Sequence, residues 1–290
     1  MRQEHLRNTV TSMSWRFGLL VALVLACTLS ACGSFGGAAE AKERLAKAQA
    51  MFAERCKTAG EKIHRRVEDV EGVLLLKLRP DGVNYGDQFK LDDPYGRDLA
   101  GQGYISSFIR GSYEANNKGG LAVGAPPPPK GFDYVETIDQ KDGQRYRYTG
   151  SVREVEATSS VLIGGTGQKF KTNAFALDKV PAPGAAPRYG VTYDDISTRE
   201  DREYWIAGSS LKVIDLQTNE VIAERVGYML DVGQGSVSGG RSPWLLAADH
   251  ACPSFQRNPL RPPGHGAESQ HRQTQHFVEK ILVPKMGTQP

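Results

Sequence analysis

Four aspartates, Asp87, Asp92, Asp93 and Asp98, lie within twelve residues of one another in a glycine-bearing stretch of the chain. Closely spaced carboxylates on flexible backbone could coordinate calcium, but the spacing matches no D-x-[DN]-x-[DN]-G loop. Two carboxylates about 5 to 9 Å apart in a cleft could instead catalyse hydrolysis. An ion pair between Asp92 or Asp93 and Arg97, beside an ordinary Asp-Asp-Pro turn, is the simpler interpretation. Asp92 and Asp93 are candidate binding residues.

The second group with possible chemistry lies near the end of the chain and comprises His250, His265, His271 and His276, with Cys252 close to the first. These residue types could bind zinc or copper. On one helix, His271 and His276 would be five residues apart and would point to different faces, whereas chelation needs a spacing of three or four. Solvated histidines and no bound metal are therefore predicted, with a metal-binding protein as an alternative.

The motifs that mark common catalytic and nucleotide-binding sites are missing from the sequence. It contains no G-x-S-x-G, H-E-x-x-H or C-x-x-C motif and no G-x-x-x-x-G-K-[ST] phosphate loop. The segment Gly164-Gly165-Thr166-Gly167 lacks the spacing of a phosphate loop and is predicted to form a turn. No cofactor is predicted, and a non-catalytic role is favoured.

Aromatic side chains are dense in the second half of the chain, in a set that comprises Tyr189, Tyr193, Tyr204, Trp205, Tyr228 and Trp244. Aromatics on an exposed sheet face can bind glycans or partner proteins, but they are more often part of a sheet core. Arg241-Ser242-Pro243-Trp244 follows a glycine-serine loop at residues 233–240. Arg241, Trp244 and Trp205 are the candidate binding residues of this region.

The first 32 residues have the organisation of a secretory signal. Basic residues precede an almost uncharged apolar run from Phe17 to Ala31, which ends in Leu29-Ser30-Ala31-Cys32. This run is shorter than the roughly 20 apolar residues that a membrane-spanning helix needs. There are two alternatives to a signal that is cleaved before Cys32. One is an uncleaved anchor helix, and the other is cleavage before Cys27, where the bulky Leu25 stands at a position that a small residue usually occupies.

This ending resembles the lipobox of bacterial lipoproteins, in which a small residue precedes a cysteine that becomes linked to diacylglycerol before cleavage. The resemblance implies that residues 1–31 are removed and that Cys32 is acylated. Gly33 follows in place of an aspartate, which resembles Gram-negative lipoproteins sorted to the outer membrane. The implied location is the cell outer membrane, with the body facing the periplasm. The body resembles proteobacterial lipoproteins of unknown function, so nothing catalytic carries over.

Removal of residues 1–31 leaves 259 residues that contain 33 basic and 32 acidic side chains. The formal net charge of +3 of the whole chain therefore comes mainly from the signal. A nearly neutral body gives no reason to expect nucleic acid as a partner or a strong electrostatic hold on anionic lipid. Two or more acyl chains on Cys32 would anchor the protein to the membrane, and an envelope protein is a possible partner.

Of the four cysteines, Cys27 leaves with the signal and Cys32 carries the lipid, so Cys56 and Cys252 remain. Two remaining thiols in an oxidising periplasm are expected to form one disulfide, which would close a loop of nearly 200 residues. The alternative is a pair of buried free thiols.

Patterns of apolar residues predict the elements that must position these groups. A helix over Ala39–Thr58 carries Cys56 on its apolar face, and a buried strand over Val67–Leu78 ends at a Pro-Asp-Gly turn. The remaining predicted elements are a spacer at Gly124–Gly131, a hairpin of Phe132–Ile138 and Gln144–Val155 whose turn contains the pair Asp142-Gly143, one or two strands within Val161–Leu177, a spacer at Pro181–Pro187, and a short helix at Glu268–Leu282. A meander is predicted over Arg188–Asp231. It includes a strand with alternating Tyr189, Val191 and Tyr193, a strand at Glu203–Leu216 and a turn at Gln217–Glu220.

The predicted fold class is α+β, an antiparallel β-sheet with an N-terminal helix, a short C-terminal helix and long Gly/Pro-rich loops. The predicted domains are a signal peptide (1–31), a lipidated tether (32–38), one periplasmic α+β domain (39–283) and a polar tail (284–290). The predicted function is a lipid-anchored, non-catalytic scaffold or binding module of the cell envelope. The alternatives are a hydrolase of an envelope polymer that uses Asp87, Asp92 or Asp93, and a metal-binding lipoprotein that uses the C-terminal histidines.

Overall fold

The computed structural model describes residues 37–79, 88–90, 100–109, 131–158, 166–241, 243–244, 247–255 and 273–285. Outside them lie the predictions about Cys32, Asp87, Asp92, Asp93, Asp98, His265, His271 and most of the Gly124–Gly131 spacer. The chain separates into two compact units, Met1–Ala50 and Met51–Pro290. In the first unit residues 37–50 are described, and all of them are helical. Within the described ranges, no helix is long and apolar enough to cross a membrane.

The described chain is rich in strands and contains a few helices. The helices are α1 (residues 37–56), α2 (Gly101–Ile109), α3 (Arg199–Glu203) and α4 (Gln273–Ile281). The strands are β1 (Gly60–Ile63), β2 (Val67–Val70), β3 (Gly72–Leu75), β4 (Tyr134–Ile138), β5 (Arg145–Thr158), β6 (Lys169–Pro181), β7 (Tyr189–Asp195), β8 (Ile206–Asp215), β9 (Glu220–Leu230), β10 (Ala251–Cys252) and β11 (Leu282–Pro284). Short 3-10 turns lie at Gln88–Lys90, Ser238–Gly240 and Ala247–His250.

One mixed sheet dominates the second unit, with the strand order β1-β9-β8-β7-β3-β4-β5-β6 and with β10 also paired to β9. The prediction of an antiparallel sheet is wrong at its centre, because β3 is parallel to both β4 and β7. All four residues of β3 are buried, as is typical of a strand covered on both faces. A parallel pair needs a long crossover, which residues 76–133 provide between β3 and β4. A mixed sheet with a few helices agrees with the predicted α+β class.

The strand predicted over Val67–Leu78 is two strands in two sheets. β2 pairs in parallel with β11 in a small second sheet, whereas β3 joins the main sheet. Asp69, within β2, has a φ of 58°, a left-handed conformation that is uncommon in an extended strand. The break between β2 and β3 lies at Glu71, and the apolar run conceals it because Val70 and Val73 on either side of Glu71 are both buried.

The main core combines buried side chains of α2, α4 and the central strands. α2 contributes Tyr104, Ile105, Phe108 and Ile109, and α4 contributes Phe277, Val278 and Ile281. The predicted alternation in the strand that begins at Tyr189 is confirmed, since Tyr189, Val191 and Tyr193 face this core. The predicted C-terminal helix is described from Gln273 and ends at Ile281, because Leu282 begins β11.

Two predicted turns are confirmed by their backbone geometry. Gly143 donates its N–H to the carbonyl of Asp139 at 2.8 Å and has a φ of 69°, the conformation for which glycine is favoured in a tight turn. The turn between β8 and β9 contains Asn219 with a φ of 57°, which asparagine tolerates better than most residues. Each turn joins two antiparallel strands.

The strand predicted over Glu203–Leu216 begins later than expected, at Ile206. The preceding residues form α3 instead, because Thr198 and Asp201 make a capping box at its N-terminus. Trp205 then takes a φ of 57°, and the extended strand starts after it.

Candidate functional site

The predicted disulfide between Cys56 and Cys252 is present, with 5.6 Å between the two Cα atoms. Cys56 is the last residue of α1, and Cys252 lies in β10, which pairs with β9. Beside Cys56, Arg55 donates from Nε to Oδ1 of the buried Asp201 at 3.0 Å. The segment of residues 51–56 is therefore tied to the sheet by one covalent bond and one charged hydrogen bond.

The predicted binding residues Trp205 and Trp244 lie in a second, smaller core. Their ring centroids are 5.1 Å apart, and Trp244 is 2% exposed. The guanidinium carbon of Arg202 lies 5.7 Å from the centre of the Trp244 ring. Other members of the predicted aromatic set are also buried, namely Tyr189, Tyr193 and Tyr228. Core packing, the favoured interpretation of the aromatic set, is confirmed for the buried members, and a binding role for the two tryptophans stays a prediction.

Arg241, the third residue of the predicted binding patch, pairs with a carboxylate inside the fold. Its Nη2 lies 2.7 Å from Oδ1 of Asp231, which is 0% exposed. The backbone N–H groups of Gly233, Gly235 and Trp244 donate to the same carboxylate at 3.0, 3.1 and 3.3 Å. Asp231 thus organises the loop that follows β9, and Arg241 neutralises its charge.

Two of the four histidines in the predicted C-terminal group lie in the described parts of the chain. His250 and His276 are exposed, and His265 and His271 lie outside the described residues. Among the residues that the structure describes, no three His, Cys, Asp or Glu side chains are close enough to hold a metal ion. The predicted absence of a metal stays a prediction.

Two buried carboxylates that sequence reasoning missed each form ion pairs with two arginines. Asp215 accepts from Arg188 at 2.8 Å and from Arg65 at 2.6 Å, and hydrogen bonds from Arg188 above all lower the pKa of Asp215 to about 2. Glu136 accepts from Arg147 Nε at 2.9 Å and lies 2.8 Å from Nε of Arg145. Both acids are 0% exposed, so their charges depend on these partners.

A long antiparallel pair, β5 with β6, extends past the rest of the sheet. The two strands stay in one register from the pair Tyr146 and Pro181 to the pair Thr158 and Lys169. β4 pairs only with the first four residues of β5, up to Tyr148. Beyond that point β6 is the only described strand that pairs with β5. We call residues 149–158 and 169–178 the ribbon, and its length is roughly 30 Å at about 3.4 Å per residue.

The ribbon buries none of its described side chains. Every described position in it is half-buried or exposed. Ion pairs of 2.7 to 2.8 Å cross between its strands and join Lys171 to Glu154, Lys169 to Glu156 and Arg153 to Asp178. Exposed pairs of this kind contribute about 0 to 1 kcal/mol each. The ribbon therefore gains little stability from burial or from its own charges.

The ribbon is held where it leaves the sheet. A Cβ atom at Gly150 would overlap the ring of Phe175, so this ring occupies the space that a larger residue would need. Phe175 and Leu177 also pack against the main core. No described residue nearer the tip of the ribbon belongs to either core.

The outer edge of the ribbon is formed by β6, the last strand of the main sheet, and no described strand pairs with that edge. Ala182 donates its N–H to the carbonyl of Arg145 at 2.9 Å, so the backbone of residue 182 points toward β5. Because antiparallel strands alternate, the N–H groups of odd-numbered residues in β6, such as Lys169 and Lys171, point outward. An edge of this kind is a template for pairing with another strand.

No protein-family model matches the chain, and neither a curated protein nor a solved structure matches it. The function is therefore inferred from the residues and geometry described above. The ribbon is the strongest candidate, because it combines low burial, weak ion pairs and an outer edge without a described strand neighbour. Its sequence signal is the alternation of charged and apolar or small residues in Glu154–Ala157 and Lys169–Thr172.

Proposed function

We propose that the protein is a lipid-anchored, non-catalytic binding module of the cell envelope and that the ribbon is its binding element. One observation carries the proposal: no described strand pairs with the outer edge of β6, the outer strand of the ribbon. A two-stranded ribbon is at best marginally stable by itself in water, and a third strand stabilises it. A partner that adds a strand gains main-chain hydrogen bonds while completing the sheet.

In this proposal Cys32 carries the acyl chains, residues 1–31 are removed, and residues 32–38 link the lipid to the body. The body then faces the periplasm from the outer membrane. The disulfide between Cys56 and Cys252 supports an oxidising compartment, because such bonds persist outside the cytosol and are rare within it. The anchor places the ribbon within reach of other envelope proteins.

Replacement of each N-terminal cysteine tests the anchor. Cells are grown with an alkyne analogue of palmitate, and the acylated chain is detected by coupling to an azide dye. We expect Cys32→Ser to lose the label and Cys27→Ser to keep it. A labelled Cys32→Ser protein, or a loss of label in Cys27→Ser, would contradict the assignment of the lipid to Cys32.

Photo-crosslinking in intact cells tests the ribbon as a binding element. A photoreactive phenylalanine analogue replaces Lys171 in the ribbon or, as a control, Val237, which is 65% exposed in the glycine-serine loop. We expect a discrete protein adduct from position 171 that is missing from position 237 and that mass spectrometry assigns to one partner. No adduct from position 171, or the same adduct from both positions, would contradict the proposal.

A further inference from the structure

We propose that the outer edge of β6 binds an extended segment of a partner protein in which acidic residues alternate with apolar residues. This partner chemistry rests on the proposed function, in which the ribbon is the binding element. Three features of β6 specify it: the direction of its backbone groups, the charge of one face and the apolar side chains of the other face.

The backbone of β6 supplies donors and acceptors for an added strand. Odd-numbered residues point their N–H and C=O groups away from β5, so a new strand can pair with them while the β5–β6 ladder stays intact. These main-chain bonds give affinity for any extended segment. Selectivity must come from the side chains that flank the edge.

One face of β6 carries lysines near both ends of the strand, and Phe175 and Leu177 lie between them on the same face. Lys169, Lys171 and Lys179 share this face because residues two apart in a strand point to the same side. Their ammonium groups each lie 2.7 Å from a carboxylate of the same subunit. The three side chains are 71%, 76% and 40% exposed, and an ammonium group has three N–H donors. Each lysine can therefore donate to a second carboxylate on an added strand.

The opposite face of β6 carries exposed apolar side chains. Phe170 is 49% exposed and Val180 is 50% exposed, and Ala174 and Ala176 lie between them on the same face, together with the polar residues Thr172 and Asp178. An added strand also alternates between the two faces. Acidic residues on its lysine side and apolar residues on its other side would satisfy both faces at once.

A second copy of the chain fits this edge poorly. Residues directly opposite in an antiparallel pair lie on the same face. A pairing of two β6 strands along their whole length therefore places Lys169 or Lys171 of one copy opposite Lys179 of the other. Like charges directly opposite are destabilising, whereas carboxylates at the same positions are attracted. The charge of the lysine face thus favours an acidic partner segment.

Peptide binding to the full-length mature lipoprotein in detergent micelles tests the proposal. The probe is a fluorescein-labelled peptide of about nine residues that alternates glutamate with valine, long enough to pair with most of β6. A second peptide has lysine at every glutamate position. Fluorescence anisotropy is expected to show that the acidic peptide binds at least about tenfold more tightly, because attraction at several positions becomes repulsion.

Two substitutions at one position separate the charge from the backbone donor. Lys171→Ala removes the ammonium group, keeps the N–H, and is expected to weaken binding of the acidic peptide about twofold to fivefold. Lys171→Pro also removes the outward N–H and is expected to weaken binding at least about tenfold. Lys212→Ala is the matched control, because Lys212 lies in β8 and pairs with Asp194 at 2.8 Å. It should leave binding unchanged.

Equal affinity for the two peptides, or unchanged binding of the acidic peptide by Lys171→Pro, would overturn the proposal. If Lys171→Pro alters the circular dichroism or the melting temperature of the protein, Lys171→Glu is the deciding variant, because it keeps the backbone N–H. Lys171→Glu should lower the affinity for the acidic peptide and raise the affinity for the lysine peptide. Analytical ultracentrifugation could instead show that the protein dimerises and that Lys171→Glu changes the dissociation constant of the dimer. That result would assign the edge to a second copy of the chain and would also overturn the proposal. A crosslink from position 171 without peptide selectivity rejects the partner chemistry alone and leaves the binding module standing.

Discussion

The body of the sheet and the ribbon use the same kinds of ion pair in opposite environments. In the body, each of four carboxylates is 0% exposed and bonded to arginine: Glu136, Asp201, Asp215 and Asp231. In the ribbon, both side chains of each described pair are at least 47% exposed. Removing one partner of a buried pair leaves an uncompensated charge inside the protein, whereas an exposed pair leaves only a hydrated ion.

This difference separates ion pairs that stabilise the fold from ion pairs whose charged groups stay accessible at the surface. The buried pairs link distant segments, as when Arg65 bonds to Asp215 across 150 residues of sequence. The ribbon pairs only join neighbouring strands and contribute little free energy. In the proposed function, the ribbon ion pairs can therefore be replaced by ion pairs to a partner at little cost in free energy, while the buried pairs of the body stay intact.

The largest expected effect is on the body, when the disulfide is removed. The double replacement of Cys56→Ser with Cys252→Ser opens a loop whose ends are 196 residues apart. The chain-entropy model gives a loss of about 5 kcal/mol in the free energy of unfolding as an upper figure. Urea unfolding followed by tryptophan fluorescence measures it. Cys27→Ser, in the predicted signal, is the control and should change nothing; a loss below about 1 kcal/mol from the double variant would contradict this account.

The next effect compares one carboxylate from each region directly. Asp231→Ala leaves Arg241 and three backbone N–H groups without their acceptor, and we expect a loss of about 3 to 5 kcal/mol. Asp178→Ala in the ribbon removes an exposed acceptor of Arg153, and we expect less than about 1 kcal/mol. Urea unfolding of both variants gives the two values side by side. Equal losses would break the contrast between the regions.

A third prediction concerns pH and Asp215 in the body. Because Arg188 and Arg65 lower the pKa of Asp215 to about 2, its charge stabilises the folded state above the ordinary aspartate pKa of about 3.9. That contribution is lost as the pH falls through about 2. The difference in free energy of unfolding between the native chain and Asp215→Asn should stay constant from about pH 7 to 5 and shrink below about pH 4. A difference that already shrinks above about pH 5 would contradict the lowered pKa.

The smallest effect is expected in the ribbon. Lys171→Ala removes the exposed partner of Glu154, and the free energy of unfolding should change by less than about 0.5 kcal/mol. Differential scanning calorimetry of the two proteins at equal concentration measures the change. A loss above about 1.5 kcal/mol would mean that the ribbon ion pairs stabilise the fold as the buried pairs do.

The features that sequence reasoning predicts correctly have local or countable signals. The turn at Gly143 follows from an Asp-Gly pair, and the buried face of β7 follows from alternating Tyr189, Val191 and Tyr193. The pairing of Cys56 with Cys252 follows once Cys27 is assigned to the removed signal and Cys32 to the lipid. The lipid anchor itself, the outer-membrane location and the roles of Asp92 and Asp93 stay predictions.

The features that it misses depend on contacts far along the chain. The parallel pairing of β3 is set by strands that begin at Tyr134 and Tyr189, and no local pattern around β3 encodes it. The buried acids look like ordinary surface residues in the sequence, because their arginine partners lie elsewhere. The hairpin of β4 and β5 is predictable, but the ribbon is not, since it exists only because β4 stops pairing after Tyr148.

Whether the ribbon is covered by a partner in the cell is the most direct test of the account. Lys171→Cys and Val237→Cys place single thiols in the ribbon and in the glycine-serine loop, and each is labelled with a periplasm-permeable maleimide in intact cells and in purified protein. At each position we divide the labelling rate in purified protein by the rate in intact cells, so that a large ratio means shielding in the cell. We expect this ratio to be at least about tenfold larger at position 171 than at position 237, because an added strand shields the edge with which it pairs. Equal ratios at the two positions would contradict the assignment of the ribbon as the binding element.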